Sequence, residues 1–152
     1  MSQKSIDEGV RRYFEAVSRR DVVAMVQWSL DVFNRRDLDA AMAVTLPEYE
    51  MHWRPEVPDL GGAVFRGPEG IRELWRRLDQ DWNDFRFESV ELIAEGDLAL
   101  VRYRQSARVP ESDVRVEAHN FAVIKFRDDG QVVEVHIYGD RRDALKAAGL
   151  RE

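Results

Sequence analysis

The stretch from His119 to Asp140, HNFAVIKFRDDGQVVEVHIYGD, constrains the fold of this chain more than any other. Two runs rich in β-branched and aromatic residues flank Asp129-Gly130, the dipeptide that a tight hairpin turn favours. On the first arm Phe121 and Val123 alternate with Ala122, Ile124 and Phe126, so both faces are apolar and a central strand is expected. On the second arm Val133, Val135 and Ile137 point one way, and Glu134, His136, Tyr138 and Asp140 the other. A strand with one dry and one wet face belongs to a sheet covered on one side. Function is therefore expected on the dry side.

The segments before the hairpin supply what covers it. Ile6, Val10, Tyr13, Phe14 and Val17 recur at helical spacing over residues 5–19. Asp21 reads as an N-cap for a second helix to about Asn34, with Val22, Met25, Val26, Ser29, Leu30 and Phe33 on one side. A third helix starts at Asp37, carries Leu38, Ala41, Met42 and Thr45, and stops before Pro47. Phe14–Asp21 and Leu30–Asp37 echo one another sixteen positions apart (37 − 21), either as a small duplication or as two helices that end alike before a cap. Tyr49, Met51 and Trp53 alternate with Glu50, His52 and Arg54 as a first strand. Pro55, Pro58 and Gly61-Gly62 make a loop that ends at Gly67-Pro68, where Pro68 suits the first turn of a fourth helix. Ile71, Leu74, Trp75, Leu78 and Trp82 form that helix's apolar stripe. Strands are expected over 85–94, 98–109 and from 115 into the hairpin, and a short helix over 143–148 closes on Gly149.

Helices segregated from a mostly consecutive set of strands imply an α+β domain: a curved antiparallel sheet wrapped on the N-terminal helices, with a pocket where side chains do not fill the cone. With 152 residues, 44% of them apolar and 34% charged, one soluble domain is expected. No cysteine is present, which excludes disulfides and thiolate metal sites. Neither a transmembrane run nor a signal peptide is visible, so a cytoplasmic protein without membrane contact is expected. A net charge of −6 argues against a nucleic-acid partner.

Several segments together resemble the nuclear-transport-factor-2-like superfamily, and within it the SnoaL-like, ketosteroid-isomerase-related proteins. They are Phe33-Asn-Arg-Arg-Asp-Leu-Asp39, Trp53-Arg-Pro55, Phe65-Arg-Gly-Pro-Glu-Gly-Ile-Arg-Glu-Leu-Trp75, Asp128-Asp-Gly-Gln-Val-Val133, Tyr138-Gly-Asp140 and Ala144–Leu150. The likeness runs from Val22 to Leu150, which makes residues 1–21 an added N-terminal helix on a domain spanning 22–152. It implies a cone-shaped α+β barrel with a central pocket, often dimeric through the outer sheet face. Members include isomerases, polyketide cyclases, hydrolases and plain binding proteins, so the fold alone settles no chemistry.

The resemblance also places the family's catalytic groups. The isomerase base falls at Trp53, its tyrosine at Ser29 and its protonated acid at Ala122; the cyclase and hydrolase acid falls at Ile137. None of those groups is present. An arginine of the hydrolase pair could survive at Arg102 or Arg104, which face either the pocket or solvent according to the register of their strand. If inward, Arg102 would hold an acidic group of the ligand.

The expected pocket is formed by Trp28, Ser29, Tyr49, Trp53, Arg102, Asn120 and Ile137. Asn120 shares parity with Ala122 and is either a satisfied core amide or a ligand contact. Trp75 and Trp82 are aromatic walls or core. Asp140 and His119 are the candidate acid–base groups, although Asp140 equally suits a helix cap and His136 and Tyr138 share its outward face. His52, His119 and His136 show no metal-ligand spacing, so neither a metal nor a cofactor is expected. The Arg11-Arg12, Arg19-Arg20 and Arg35-Arg36 pairs read as solvated helix faces. Three functions compete: a protein binding a small, mostly apolar molecule; an isomerase, cyclase or hydrolase using general acid–base catalysis; and a dimer module whose own side chains fill the cone.

Overall fold

The hairpin forms. Strands β5 (Arg115–Phe126) and β6 (Val132–Tyr138) pair antiparallel, and the Gly130 N–H closes their turn on the Arg127 carbonyl at 2.9 Å. The computed structural model describes residues 3–58 and 60–150, with side chains from residue 7 onward, so the Ile6 side chain lies outside the described ones. Gly130 has φ +89°, and a Cβ there would lie 2.9 Å from the Val17 carbonyl oxygen and closer still to the Arg20 guanidinium. Glycine is needed at this point because the turn packs beneath the end of the first helix.

Three helices precede the sheet: α1 (Gln3–Ser18), α2 (Val22–Asn34) and α3 (Leu38–Val44). Asp21 accepts from the Ala24 N–H and Asp37 from the Ala40 N–H, so both are N-caps. The echoed segments are two copies of one corner. Arg20 and Arg36 both have positive φ, 56° and 55°, and the following Asp N–H reaches back to Ala16 and Val32 respectively. This is the hydrogen-bond pattern that ends a helix on a left-handed residue.

Arg20 is exposed and Arg36 partly so, yet both also bind distant parts of the chain. Arg20 donates to the Asp128 carbonyl in the hairpin turn. Arg36 forms a fork onto Asp79 at 2.9 and 2.7 Å and also donates to the Phe33 and Phe85 carbonyls. Asn34 pairs with both backbone groups of Phe87. The Phe33–Asp37 motif is thus a structural clasp that ties α2 to the sheet.

Strand β1 (Glu50–Trp53) is followed by β2 (Val64–Arg66), α4 (Gly67–Asp81), β3 (Asn83–Ala94) and β4 (Leu98–Arg108). Strand β2 lies where the sequence suggests only a loop. Its three residues are too few to show alternation, and it exists because Glu50, Met51 and His52 pair with it. Within α4, a Cβ on Gly70 would sit 2.8 Å from the Phe65 carbonyl carbon, so this glycine lets the helix lie against the β2 backbone.

The six-stranded sheet has the order β2-β1-β6-β5-β4-β3, is curved and does not close. Every pair is antiparallel except β1 with β6, which run parallel. The helices fill the concave side, as expected of the cone-shaped α+β fold. The outer face is not bare throughout, because α5 (Arg141–Ala147) lays Ala144 and Leu145 on Leu100, Phe121 and Val123. That contact accounts for the two apolar faces of β5.

One inward assignment on β6 needs correction. Lys125 pairs with Glu134 while Phe126 pairs with Val132, so Val132 and Val133 together oppose one residue. This bulge turns Val132, not Val133, toward the helices. Val135 and Ile137 face inward as expected.

Candidate functional site

A cavity of about 200 Å³ lies between the helices and the inner sheet face. Helix α2 contributes Met25, Trp28, Ser29 and Phe33; α4 contributes Ile71, Leu74 and Trp75; the sheet contributes Met51, Trp53, Tyr103, Ala122, Ile124, Val135 and Ile137. Edge-on rings build one side, with Phe33 5.2 Å from Trp75 and 4.9 Å from Phe87. Helix α1 closes the cone: Tyr13 packs on Trp28 at 4.8 Å and both line the cavity. The N-terminal helix therefore contributes to the site, a role its sequence position did not suggest.

The wall is apolar with a few neutral polar groups. The Ser29 and Thr45 hydroxyls donate to carbonyls of their own helices, Met25 at 3.1 Å and Ala41 at 2.8 Å. Tyr13, Tyr49 and Tyr103 are phenols whose ionisation burial opposes: it pushes Tyr13 up to about 12 and raises Tyr49 and Tyr103 further. Tyr49 is additionally raised by the nearby phenols of Tyr13 and Tyr103, so the three hydroxyls form one neighbourhood. The indole N–H groups of Trp28 and Trp53 are buried without a hydrogen-bond partner. Among the described residues no carboxylate, imidazole, lysine or arginine lines the cavity.

Of the residues expected in a pocket, Trp28, Ser29, Tyr49, Trp53 and Ile137 line this cavity. Arg102 does not. Val101 and Tyr103 take the inward positions of β4, and Arg102 lies on the outer face, paired with Glu91. Arg104 also points outward, 3.3 Å from Glu88. Burying valine and a phenol in place of two guanidinium groups decides this register.

Asn120 is on the inner face and only 3% exposed, but it does not line the cavity. It donates to Gln105 Oε1 at 3.0 Å beside Tyr103, its cross-strand partner, which makes it a satisfied core amide. Asp140 is exposed and accepts from the Arg142 N–H at 2.9 Å, capping α5. His119 is exposed on β5, away from the cavity. The structure brings neither candidate acid–base group to the site.

The positions at which the resemblance implies catalytic groups, Ser29, Trp53, Ala122 and Ile137, all contribute to the cavity wall. Away from the cavity, His52, Glu134 and His136 come together on the outer face across the parallel β1–β6 pair. Sequence spacing could not show this, since the two strands are far apart in the chain.

The family model described as the SnoaL-like domain matches residues 26–135, well over half of the chain. A search of curated proteins found no match. Among solved structures, an NTF2-like protein from Burkholderia thailandensis E264 superposes with a TM-score of 0.63 at 20% identity, covering 89% of this chain and 98% of that one. A protein from Sinorhizobium meliloti named as a candidate polyketide cyclase gives 0.56 at 25% identity, covering 77% and 93%. TerC, crystallised with polyporic acid, gives 0.62 at 19% identity, covering 80% and 92%.

Proposed function

The chain belongs to the SnoaL-like domain family, and on that premise we propose that its cone binds one small, mostly apolar ring compound bearing a hydrogen-bond acceptor. The observation that carries this reading is the cavity of about 200 Å³ with an apolar, aromatic wall that includes Trp28, Trp53 and Trp75. Apolar cavities of roughly 150 Å³ hold benzene, so this one suits one or two rings. Tyr13 and Tyr49 line the same cavity, and their hydroxyls are the donors for a carbonyl or ether oxygen on the ligand. An acidic group on the ligand is not part of the reading, since Arg102 faces away.

General acid–base catalysis finds little support in this cavity. Its ionisable groups are tyrosines raised far above neutrality, whereas a proton shuttle works best with a group that titrates near the working pH. Tyr103 and its neighbours supply hydrogen bonds instead of moving protons. Binding is therefore the better reading, with an isomerase, cyclase or hydrolase as its competitor.

Two measurements test it. Native mass spectrometry of the purified protein, followed by denaturing extraction, would identify a co-purifying compound. Titration with 2-acetonaphthone, a two-ring ketone, should quench tryptophan fluorescence saturably at one site. The variant Ala122→Leu, which fills the cavity from the sheet side, should abolish the quenching. Quenching that never saturates, or that survives Ala122→Leu unchanged, would sink the reading.

A further inference from the structure

The outer face of the β1–β6 seam carries a second constellation, unrelated to the cavity. The two strands are parallel and in register, so Glu50 lies beside Glu134 and His52 beside His136. Their imidazoles stack with centroids 4.5 Å apart and planes 9° from parallel. His52 Nε2 is 2.9 Å from Glu50 Oε1, and His136 Nε2 contacts Glu134 Oε1. Paired carboxylates on one sheet face repel one another and need a cation. Glu50 has one in Arg66, at 3.2 Å. Opposite Glu134 on β5 stands Lys125, whose side chain is exposed.

We propose that His52, His136 and Glu134 bind a divalent transition-metal ion of the zinc, cobalt and nickel class on this face. Donor atoms of the three residues lie within 4.8 Å of one another, and all three side chains are half-buried. Four-coordinate zinc, with bonds of about 2.0–2.1 Å, holds its donors roughly 3.3 Å apart. Closing that gap takes rotation of the imidazoles about a broad side-chain torsion and no backbone movement. Two imidazoles and one carboxylate suit borderline ions over calcium or magnesium, and they leave positions open for water or a further ligand.

Glu50 belongs to the outer shell. A proton on His52 Nε2 directed at Glu50 leaves Nδ1 as the free lone pair, the arrangement by which a second-shell carboxylate orients a metal-bound histidine. The His136–Glu134 contact is where the ion replaces a proton. The bound ion would clip β1 to β6 directly behind Trp53 and Ile137, which line the cavity on the opposite face.

The test uses full-length, tag-free protein stripped with a chelator and dialysed. Calorimetric titration with zinc chloride should give one ion per chain. His52→Ala and His136→Ala should each weaken binding by more than the roughly 10–100-fold that loss of an outer-shell partner costs. His119→Ala, on β5 outside the cluster, should leave it unchanged. Cobalt(II) should give the intense visible absorption of a low-coordinate site.

Wild-type protein offers a readout independent of how the variants fold. With three histidines in the chain, zinc should shift two of the three histidine ring resonances in the proton NMR spectrum. No binding, loss of binding in His119→Ala, or a shift confined to the third histidine would each overturn the proposal.

Discussion

Leucine at position 122 and leucine at position 99 place the same three carbons in two different environments. Both alanines are buried in the sheet, but Ala122 lines the cavity whereas Ala99 is fully buried in solid core. Added carbons that enter a cavity contribute about 0.8 kcal/mol each, so Ala122→Leu gains up to about 2 kcal/mol. The leucine side chain loses about 0.5–1 kcal/mol of rotamer freedom, leaving a net stabilisation of about 1–2 kcal/mol. At Ala99 no space receives the added carbons, and overpacking costs about 1–3 kcal/mol.

The two variants should therefore differ by about 2–5 kcal/mol in urea unfolding. At about 2–4 °C per kcal/mol for a chain of this size, their Tm values should separate by roughly 4–20 °C, with Ala122→Leu at or above the parent. Equal destabilisation of the two would mean that side chains fill the cone in solution. The binding reading would then fall and the dimer-module reading would replace it.

Other expectations follow from the same geometry. Asp140→Ala should cost about 1 kcal/mol through loss of a helix cap and leave ketone binding untouched; lost binding would return Asp140 to the site. Arg102→Ala should also bind normally, because its partner is Glu91 on the outer face. Alkaline titration should unfold the protein, with phenolate absorbance rising in step. Tyr13 ionises near 12 when folded and near its ordinary 10 when unfolded, so the stability it lends is intact below pH 10 and lost between pH 10 and 12. Ionisation of Tyr13 itself near pH 10 in still-folded protein, read by comparison with Tyr13→Phe, would contradict that burial. Native mass spectrometry should find a dimer through the outer sheet face, which Arg102→Glu with Arg104→Glu converts to monomer; an unaffected dimer would place the contact elsewhere.

What the sequence revealed of this fold is what local chemistry determines. Asp21 and Asp37 cap helices, Asp129-Gly130 turns a hairpin, and the alternation around Val135 and Ile137 marks the inner face. What stayed hidden is set by partners distant in sequence. Strand β2 is a strand only because β1 lies alongside it, and the bulge at Val132 shows only against β5. The orientation of Arg102 could be narrowed to two registers but not chosen, since β4 reads plausibly either way until Tyr103 is set opposite Asn120 on β5. Tyr13 was visible as part of an apolar stripe, and nothing in that stripe said it would meet Trp28 at the cavity. The histidine pair needed a parallel contact between the first strand and the last.

That parallel contact also explains how one pair of strands serves two chemistries. Along β1 and β6 the odd-numbered residues Met51, Trp53, Val135 and Ile137 line the cavity, while the even-numbered Glu50, His52, Glu134 and His136 face outward. A slip of one residue would exchange the sets, placing two carboxylates and two imidazoles in an apolar cone and four apolar wall residues in water. Burying an unpaired ionised carboxylate costs several kcal/mol, so the slipped register is strongly excluded. The strength of that exclusion comes from both faces being polarised at once. Making only one outward residue apolar should barely loosen the register, whereas a charge introduced at Ile137 should be resisted by the whole seam. Ile137→Asp, at the position where the resemblance implies an acid, therefore tests whether the cone tolerates a carboxylate. The expected outcome is a folded protein of lower stability whose introduced carboxyl takes up its proton well above the ordinary range, since burial disfavours the charge. A carboxyl titrating normally there would mean that water already fills the cone.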